Sequence, residues 1–391
     1  MRILVADDES VIRLILTRTL TQWGHEVVVA RDGEEAWALY QSEPFRMVIS
    51  DWMMPGVDGI ELTRRIRAGQ CSGYTYVVLL TGRSGVAALV EGMDAGADDF
   101  MEKPFQAEEL RARVRAGERV LKLESDLAER GRRLGEALES SRADLEAAAS
   151  LQRTLLPPPG QEWPAVRSSW RLHPANMVAG DVFGVHALGA RFTAFYLLDV
   201  AGHGVSSAML SFSLSKMLSP EGLLLRSTAK GRMLPLPPAQ VLAELNDRFQ
   251  ADVDSMKYFT ILYGLIDAET DQLTIAQGGH PSPVLARGGE LKRIGESGFP
   301  IGMLPGLTFE EETHPFAPGD RLFLYSDGVT ECPNAERRPF LIDRLEQAVR
   351  EGCSHSLDAT VSAIEHDLRA WSASDHFPDD VTLLGLERRA A

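Results

Sequence analysis

Cysteine is scarce: the 391 residues hold three, Cys71, Cys332 and Cys353, far apart and forming no C-x-x-C pair. Such spacing supports neither a disulfide framework nor a cysteine zinc site, and it leaves the three as packing residues in a reducing cytosol. Long apolar runs are missing too, so nothing is expected to span a bilayer, and the N-terminus M-R-I-L-V-A-D-D-E-S turns acidic too soon for a secretory signal. The expectation is a cytoplasmic protein with no membrane partner. Positive charge is in deficit, with 40 Lys and Arg against 56 Asp and Glu and a formal net charge of −16. A surface of that sign repels nucleic acid and anionic lipid alike. No basic recognition helix stands out, which argues against a DNA-binding regulator and in favour of protein partners.

What is present is ordinary globular composition, 44% apolar and 25% charged, in a chain long enough for two domains and a connector. In the first 120 residues, apolar β-rich runs at Ile3 to Ala6, Val27 to Ala30, Met47 to Ser50 and Tyr76 to Leu80 alternate with helix-like segments. Alternation of this kind predicts a doubly wound, five-stranded parallel sheet, the fifth strand lying near Asp99 to Met101. Asp7 and Asp8 follow the first run, Asp51 the third, Thr81 the fourth and Lys103-Pro104 the fifth. Ligands of open parallel sheets bind at the carboxyl ends of the strands, so three carboxylates, a hydroxyl and an ammonium should meet there. Asp7 and Asp8 are placed to hold Mg²⁺, Asp51 to attack a phosphoryl donor, and Thr81 and Lys103 to bind the oxygens of the acyl phosphate.

This constellation, with D-W-M-M-P-G-V-D-G after the third strand and A-D-D-F-M-E-K-P-F at the end, resembles a two-component receiver domain. The resemblance implies Asp51 as phospho-acceptor, a backbone carbonyl of Met53 on the metal, a cis peptide before Pro104 and Phe100 as an aromatic switch. It also implies a sensor histidine kinase as partner.

Proline is absent from Ala107 to Leu156, where Ala, Leu, Glu and Arg dominate and a long helix is expected. Val120, Leu127, Leu134, Ser141, Ala148 and Leu155 fall seven apart, one position of a coiled coil. The companion row is irregular, since Leu123 and Ala137 sit three residues on and Leu138 and Leu145 four. Gly117, Gly131 and Gly135 weaken the helix further, each by about 1 kcal/mol. Residues 121–156 are therefore expected to form a helical connector with a marginal seam, in a parallel homodimer. The alternative is a solvated spacer helix. In either case the helix stops at L-L-P-P-P-G.

From about residue 157 to 388 the texture becomes β-rich, with sheets sandwiched between helices as the expected α+β fold. Two apolar runs end in an acid and a glycine: F-T-A-F-Y-L-L-D-V-A-G-H-G carries Asp199 and R-L-F-L-Y-S-D-G carries Asp327. Asp181 lies in A-G-D-V-F, and Asp379 and Asp380 open D-D-V-T-L-L. Carboxylates crowded together repel unless a cation intervenes, and oxygen ligands without His or Cys clusters suit Mg²⁺ or Mn²⁺. Pro- and Gly-rich residues 219–237 read as a loop or flap.

The ordered set A-G-D, D-V-A-G-H-G, G-G-H-P-S-P, S-D-G-V-T-E and D-D-V-T-L-L closely resembles the PPM serine/threonine phosphatases, in the SpoIIE- and RsbU-type branch that controls sigma-factor partner switching. The resemblance covers about 150 to 388, and L-Q-R-T-L-L-P resembles the entry to such domains. It implies two Mg²⁺ or Mn²⁺ ions and in-line attack of water on a phosphoserine or phosphothreonine, with no covalent enzyme intermediate. Asp199 would bridge both metals, with the Val200 carbonyl on one of them. Asp327 and Asp379 would serve one metal, Asp181 would complete the cluster, and Asp380 would stand with them as a supporting acid. His203 is either a general acid or a turn residue, and His280 a structural histidine. Many relatives carry a second acid where this chain has Gly184, which leaves one further metal contact open. The implied substrate is a phosphorylated anti-sigma-factor antagonist of the STAS type. The competing reading is a catalytically weak phosphatase fold that sequesters a regulatory partner.

Overall fold

The computed structural model describes all residues except 70–72, 83–85, 159, 203, 228–230, 250–257, 373, 375 and 390–391; the side chains of 86–89 are also left aside. Cys71 and His203 thus lie outside the described residues. The chain divides into two compact units, Met1–Glu139 and Ser140–Ala391.

In the first unit the strands are β1 (Arg2–Ala6), β2 (Glu26–Ala30), β3 (Met47–Asp51), β4 (Tyr76–Thr81) and β5 (Asp99–Glu102). Between them run the helices α1 (Ser10–Gln22), α2 (Gly33–Ser42), α3 (Gly59–Ala68) and α4 (Val86–Asp94), and α5 (Ala107–Arg153) comes after the last strand. All five strands pair in parallel in the order β2-β1-β3-β4-β5. The order changes direction beside β1 and β3, so the loops that leave those two strands open a crevice at their carboxyl ends. One sheet face packs on α1 and α5 through Ile3, Val5, Ile49, Val78, Leu16, Leu110 and Val114, and the other on α2 and α3 through Leu4, Val48, Val77, Ala36 and Leu62. Burial on both faces explains why the strands read as unbroken apolar runs. Helix α5 is continuous for 47 residues, and only its first turns, through Leu121, are buried. Beyond them Leu123, Leu127, Leu134 and Leu138 are exposed.

The second unit begins with β6 (Val166–His173), β7 (Val182–Leu188), β8 (Phe192–Val200) and α6 (Val205–Met217). A short hairpin, β9 (Leu225–Ser227) and β10 (Met233–Pro235), leads to α7 (Pro238–Arg248), β11 (Phe259–Asp267), β12 (Gln272–Gly278), β13 (Val284–Arg287), β14 (Glu290–Arg293) and β15 (Glu311–Pro315). The chain ends with β16 (Arg321–Tyr325), the single turn α8 (Asp327–Thr330), α9 (Ile342–Gly352), α10 (Leu357–Ser372) and β17 (Val381–Arg388). Two antiparallel five-stranded sheets result, β15-β12-β11-β8-β7 and β14-β13-β16-β17-β6.

The alternation of side chains along β8 shows how they stack. Phe195 and Leu197 face the second sheet, meeting Leu322, Leu324, Leu384 and Leu386. Tyr196 and Leu198 point the other way, onto Leu214 of α6 and Val241, Leu242 and Leu245 of α7. The outer face of the second sheet, with Phe323, Leu383 and Val381, is covered by Leu345 and Val349 of α9 and Val361 and Ile364 of α10. The architecture is therefore helix, sheet, sheet, helix. Within residues 219–237, read from sequence as a loop, the structure has the β9–β10 hairpin, and β14 and β15 are further strands that the apolar pattern does not reveal.

Candidate functional site

In the first unit the expected residues meet at the carboxyl ends of β1, β3, β4 and β5. Asp7 and Asp51 are buried, Asp8 is exposed, and one ligand oxygen from each lies within 4.8 Å of the others. Among the described residues this is the one such acidic cluster. Lys103 reaches in from the end of β5, and its Nζ donates to Asp7 Oδ2 at 2.7 Å and lies 3.1 Å from Asp51 Oδ1. The Trp52 N–H also donates to Asp51 Oδ1, at 2.9 Å, so Oδ2 takes neither bond. Burial raises the Asp51 carboxyl above its usual range, the Lys103 contacts opposing this and the charge of Asp7 adding to it. Burial lowers the Lys103 ammonium, but the hydrogen bonds and charges of Asp7 and Asp51 outweigh it and the net shift is upward. Thr81 is buried at the end of β4, the Met53 side chain is exposed, and the Lys103–Pro104 peptide is cis. Phe100 is half-buried against the cluster that holds Trp52 and Leu79.

In the second unit Asp199 and Val200 end β8, Asp327 opens α8 directly after β16, and Asp379 and Asp380 precede β17. Strands β16 and β17 are neighbours, and Gly328 lies so close to the Asp380 carbonyl that no Cβ would fit there. A glycine after Asp327 is thus what lets the two acidic turns touch.

Asp181 is almost wholly buried. Its Oδ2 accepts from the Thr382 hydroxyl at 2.6 Å, and its carboxyl lies close enough to that of Asp199 for the two charges to oppose each other. Burial and then the charge of Asp199 hold Asp181 well above the carboxylate range, against the Thr382 and Ser326 hydroxyls. Asp199 is pushed up to about 7, by burial first and then by the charges of Asp327, Asp379 and Asp380. Asp327 is raised by burial and by Asp379. Two carboxyls facing each other need a proton or a cation between them. The donor set, all oxygen and short of any cationic side chain among these contacts, fits a hard divalent metal.

Asp380 is differently engaged from the other acids. Its Oδ1 accepts from the Ala175 N–H at 2.7 Å, and its Oδ2 accepts from Gly180 at 2.5 Å and Asp181 at 3.3 Å. Both oxygens are tied to the backbone of the 175–181 loop. Asp380 thereby shapes the loop that carries Asp181.

Gly184 also has a structural reason. It lies opposite Tyr196 on β8, and a Cβ there would come within 2.6 Å of the Tyr196 ring. Tyr196 is buried and hydrogen-bonded to Ser215 at 3.1 Å, so the ring fills the space a side chain would need. An acid at 184 is incompatible with Tyr196 in this position.

His280 is fully buried, and its Nδ1 lies 2.9 Å from the hydroxyl of Thr260, which pairs with Asp199 across the β11–β8 ladder. Burial lowers its pKa to about 3, so the ring is neutral in the folded protein. A folded pKa below the ordinary 6.5 means that its full contribution to stability is present above pH 6.5 and is lost as pH falls towards 3. The stability advantage of the parent over His280→Gln should therefore shrink by about 2 kcal/mol between pH 7.5 and 5. Denaturant unfolding of both proteins at the two pH values checks this.

Sequence reasoning did not single out Ser326 and Thr382, although each lies inside a motif it used. Ser326 Oγ accepts from the Thr382 N–H at 3.0 Å and donates to the Asp380 carbonyl at 3.2 Å, which laces the two acidic turns together. A hydroxyl between an acid and a strand was the available signal.

Residues 190–389 match the family described as Stage II sporulation protein E (SpoIIE). The chain belongs to the SpoIIE family. Residues 3–115 match the response regulator receiver domain, so a SpoIIE-type PPM phosphatase domain here comes after a receiver. The fold of the SpoIIE-type domain is similar to that of the SiaA-PP2C domain of Pseudomonas aeruginosa. The TM-score is 0.54 at 20% identity, over 64% of this chain and 98% of that one, a likeness of fold alone. Curated relatives match through the receiver. The response regulator MprA of Mycobacterium ulcerans is 43% identical over 128 residues, 33% of this chain and 54% of that protein. Protein RcaC of Microchaete diplosiphon is 43% identical over 117 residues, 30% of this chain and 18% of that protein. The chain thus spans about half the length, or less, of these relatives. A receiver implies a phosphodonor such as a kinase, and a PP2C-type domain implies a phosphoprotein substrate; both classes generally depend on divalent metal. Among the described residues no helix is long and apolar enough to cross a membrane.

Proposed function

We propose that this response regulator is phosphorylated on Asp51 by a sensor histidine kinase and thereby controls a metal-dependent protein serine/threonine phosphatase. One observation carries the reading. Four strand or turn ends bring acids together, with Asp199 closing β8, Asp327 following β16, Asp379 preceding the neighbouring β17 and buried Asp181 preceding β7, and burial and mutual charge oppose their ionisation with no cationic partner among those contacts.

Asp199, the Val200 carbonyl, Asp327 and Asp379 would hold two Mg²⁺ or Mn²⁺ ions, with Asp181 supporting Asp199. The ions, when bound, supply the positive field that admits a phosphate dianion and the acidity that a water needs to attack phosphorus. The protein's own part is to fix the acids. Thr382 and Ser326 aim Asp181, Asp380 gathers the 175–181 loop, and the β16–β17 pairing sets Asp327 against Asp379. In the receiver, Asp7, Asp8, Asp51 and the Met53 carbonyl would hold one Mg²⁺, while Lys103 and Thr81 take the oxygens of the acyl phosphate. The substrate class rests on the family: a phosphorylated anti-sigma-factor antagonist of the STAS type. The row of exposed leucines from Leu123 to Leu138 supports a parallel homodimer through α5.

Hydrolysis of p-nitrophenyl phosphate by the full chain, with and without Mn²⁺ and acetyl phosphate, tests catalysis, metal need and regulation together. Turnover only with the metal, altered by the phosphodonor, is the expected result. Mn²⁺ binding without any turnover would instead favour the sequestering module. Asp51→Asn should lose acid-stable, base-labile labelling from a radioactive phosphodonor, because Asp51 alone joins a strand end to Asp7, Asp8 and Lys103. Full stoichiometric labelling of that variant would remove Asp51 from its role.

A further inference from the structure

Helix α5 ends with a side chain bound to the loop that carries Asp181. Gln152, in its last turn, donates from Nε2 to the Ala179 carbonyl at 2.7 Å, and its Oε1 accepts from the Ala179 N–H at 3.0 Å. Both polar groups of one buried residue are thus held by one carboxamide. A side chain that satisfies a backbone donor and acceptor together fixes that peptide in translation and in rotation.

The two residues after Ala179 make the contact consequential. Gly180 gives its N–H to Asp380, and its carbonyl accepts from the Ser211 hydroxyl of α6. A Cβ on Gly180 would meet the Val200 carbonyl at 3.2 Å and the Gly202 carbonyl at 3.4 Å, so this glycine packs directly on the turn after β8. Asp181 comes next, its backbone N–H on Asp380 and its Oδ2 on the Thr382 hydroxyl. One peptide separates the Gln152 clamp from the backbone on which Asp181 and the Val200 carbonyl depend. Downstream of Gln152 the chain is tied to the second unit independently: Leu156 packs into two of its cores, and the Pro157 carbonyl accepts from Trp170 Nε1 at 3.2 Å. Losing the clamp therefore releases the Ala179 peptide without detaching the chain, while Asp380 and Ser211 still hold the rest of the loop.

We infer that Gln152 is a positioning residue, the joint by which the connector helix holds the Ala179–Asp181 turn in its metal-binding arrangement. The inference rests on the metal centre proposed above and adds the residue through which regulation reaches it. A shift or rotation of the last turn of α5 moves the carboxamide, and the carboxamide moves the turn.

The test is Mn²⁺ binding to the full-length protein, monitored by electron paramagnetic resonance of the free ion, alongside hydrolysis with and without acetyl phosphate. Sites that bind in the parent and are missing from Asp199→Ala belong to the phosphatase centre, which separates them from the receiver site. Gln152→Met keeps the length and helix preference of the side chain but neither hydrogen bond. It should weaken those sites by about tenfold, the lower end for a residue that orients a metal ligand. It should also raise the Mn²⁺ needed for half-maximal hydrolysis to match, leave turnover at saturating Mn²⁺ within about twofold, and blunt the response to acetyl phosphate. Gln152→Glu retains the acceptor for the Ala179 N–H and opposes the carbonyl with a charge, so it should bind Mn²⁺ as weakly or more so while melting like the parent. Parent-like Mn²⁺ affinity in both variants would overturn the inference and leave the phosphatase reading standing. Intact Mn²⁺ sites in a parent that does not hydrolyse would overturn the phosphatase reading alone. A parent with no sites sensitive to Asp199→Ala would overturn both.

Discussion

Asp199→Ala, and separately Asp327→Ala, should lower metal-dependent hydrolysis by more than about a hundredfold, beyond the loss typical of residues that merely orient a ligand. Neither variant should unfold. In the absence of metal each removes a half-buried carboxyl that its neighbours repel, so the denaturation midpoint in chelator-treated buffer should equal or exceed that of the parent. Asp181→Ala is a different case, because it strands the buried Thr382 hydroxyl, and it should lose both activity and stability. Undiminished turnover of Asp199→Ala, or of the parent in excess chelator, would eliminate the two-metal reading. A collapse in the midpoint would mean instead that the acids hold the fold together.

The acids were legible because rigid strands end in them. Phe192 to Leu198 is apolar or strand-favouring and carries no charge, since one face of β8 meets the other sheet and the opposite face meets α6 and α7. A strand so enclosed announces itself, and the first charge after it marks the point where the chain leaves the core. The same logic hides β15. Its sequence, Glu-Glu-Thr-His-Pro, lies at a sheet edge with mostly exposed side chains, so nothing apolar records its pairing with β12. Strand β14 is hidden likewise at the edge of the other sheet, and among the described residues β9 and β10 pair with each other alone.

The supports of the site were harder to read, for a physical reason. Asp380 holds backbone N–H groups some 200 residues away, and Gln152 grips a peptide 27 residues on. Such bonds recognise main-chain atoms, which every residue presents, so neither partner leaves a mark in composition or spacing. Gly184 shows the converse. Its departure from the family pattern was visible, but the reason lies in the Tyr196 ring across the ladder, and only the register of β7 with β8 brings the two together.

The connector gives the sharpest test of how the two domains communicate. Helix α5 runs unbroken past Glu139, where the two compact units divide, to Gln152. Seven residues inserted after Glu139 turn everything downstream by only about 20° net, whereas two residues turn it by about 200°. The insertion of seven should keep phosphodonor control, and the insertion of two should abolish it, leaving a phosphatase fixed on or off. In both proteins Gln152 and its partner Ala179 lie downstream of the change, so the clamp itself is kept, and in the insertion of two the Mn²⁺ affinity should be fixed along with the activity and no longer respond to acetyl phosphate. The seam favours this outcome over a rigid rod: Leu123, Leu127, Leu134 and Leu138 step by four, seven and four, a row irregular enough to settle in more than one register. If both insertions respond to acetyl phosphate as the parent does, the helix is a passive tether, and the receiver must act by touching the phosphatase surface directly.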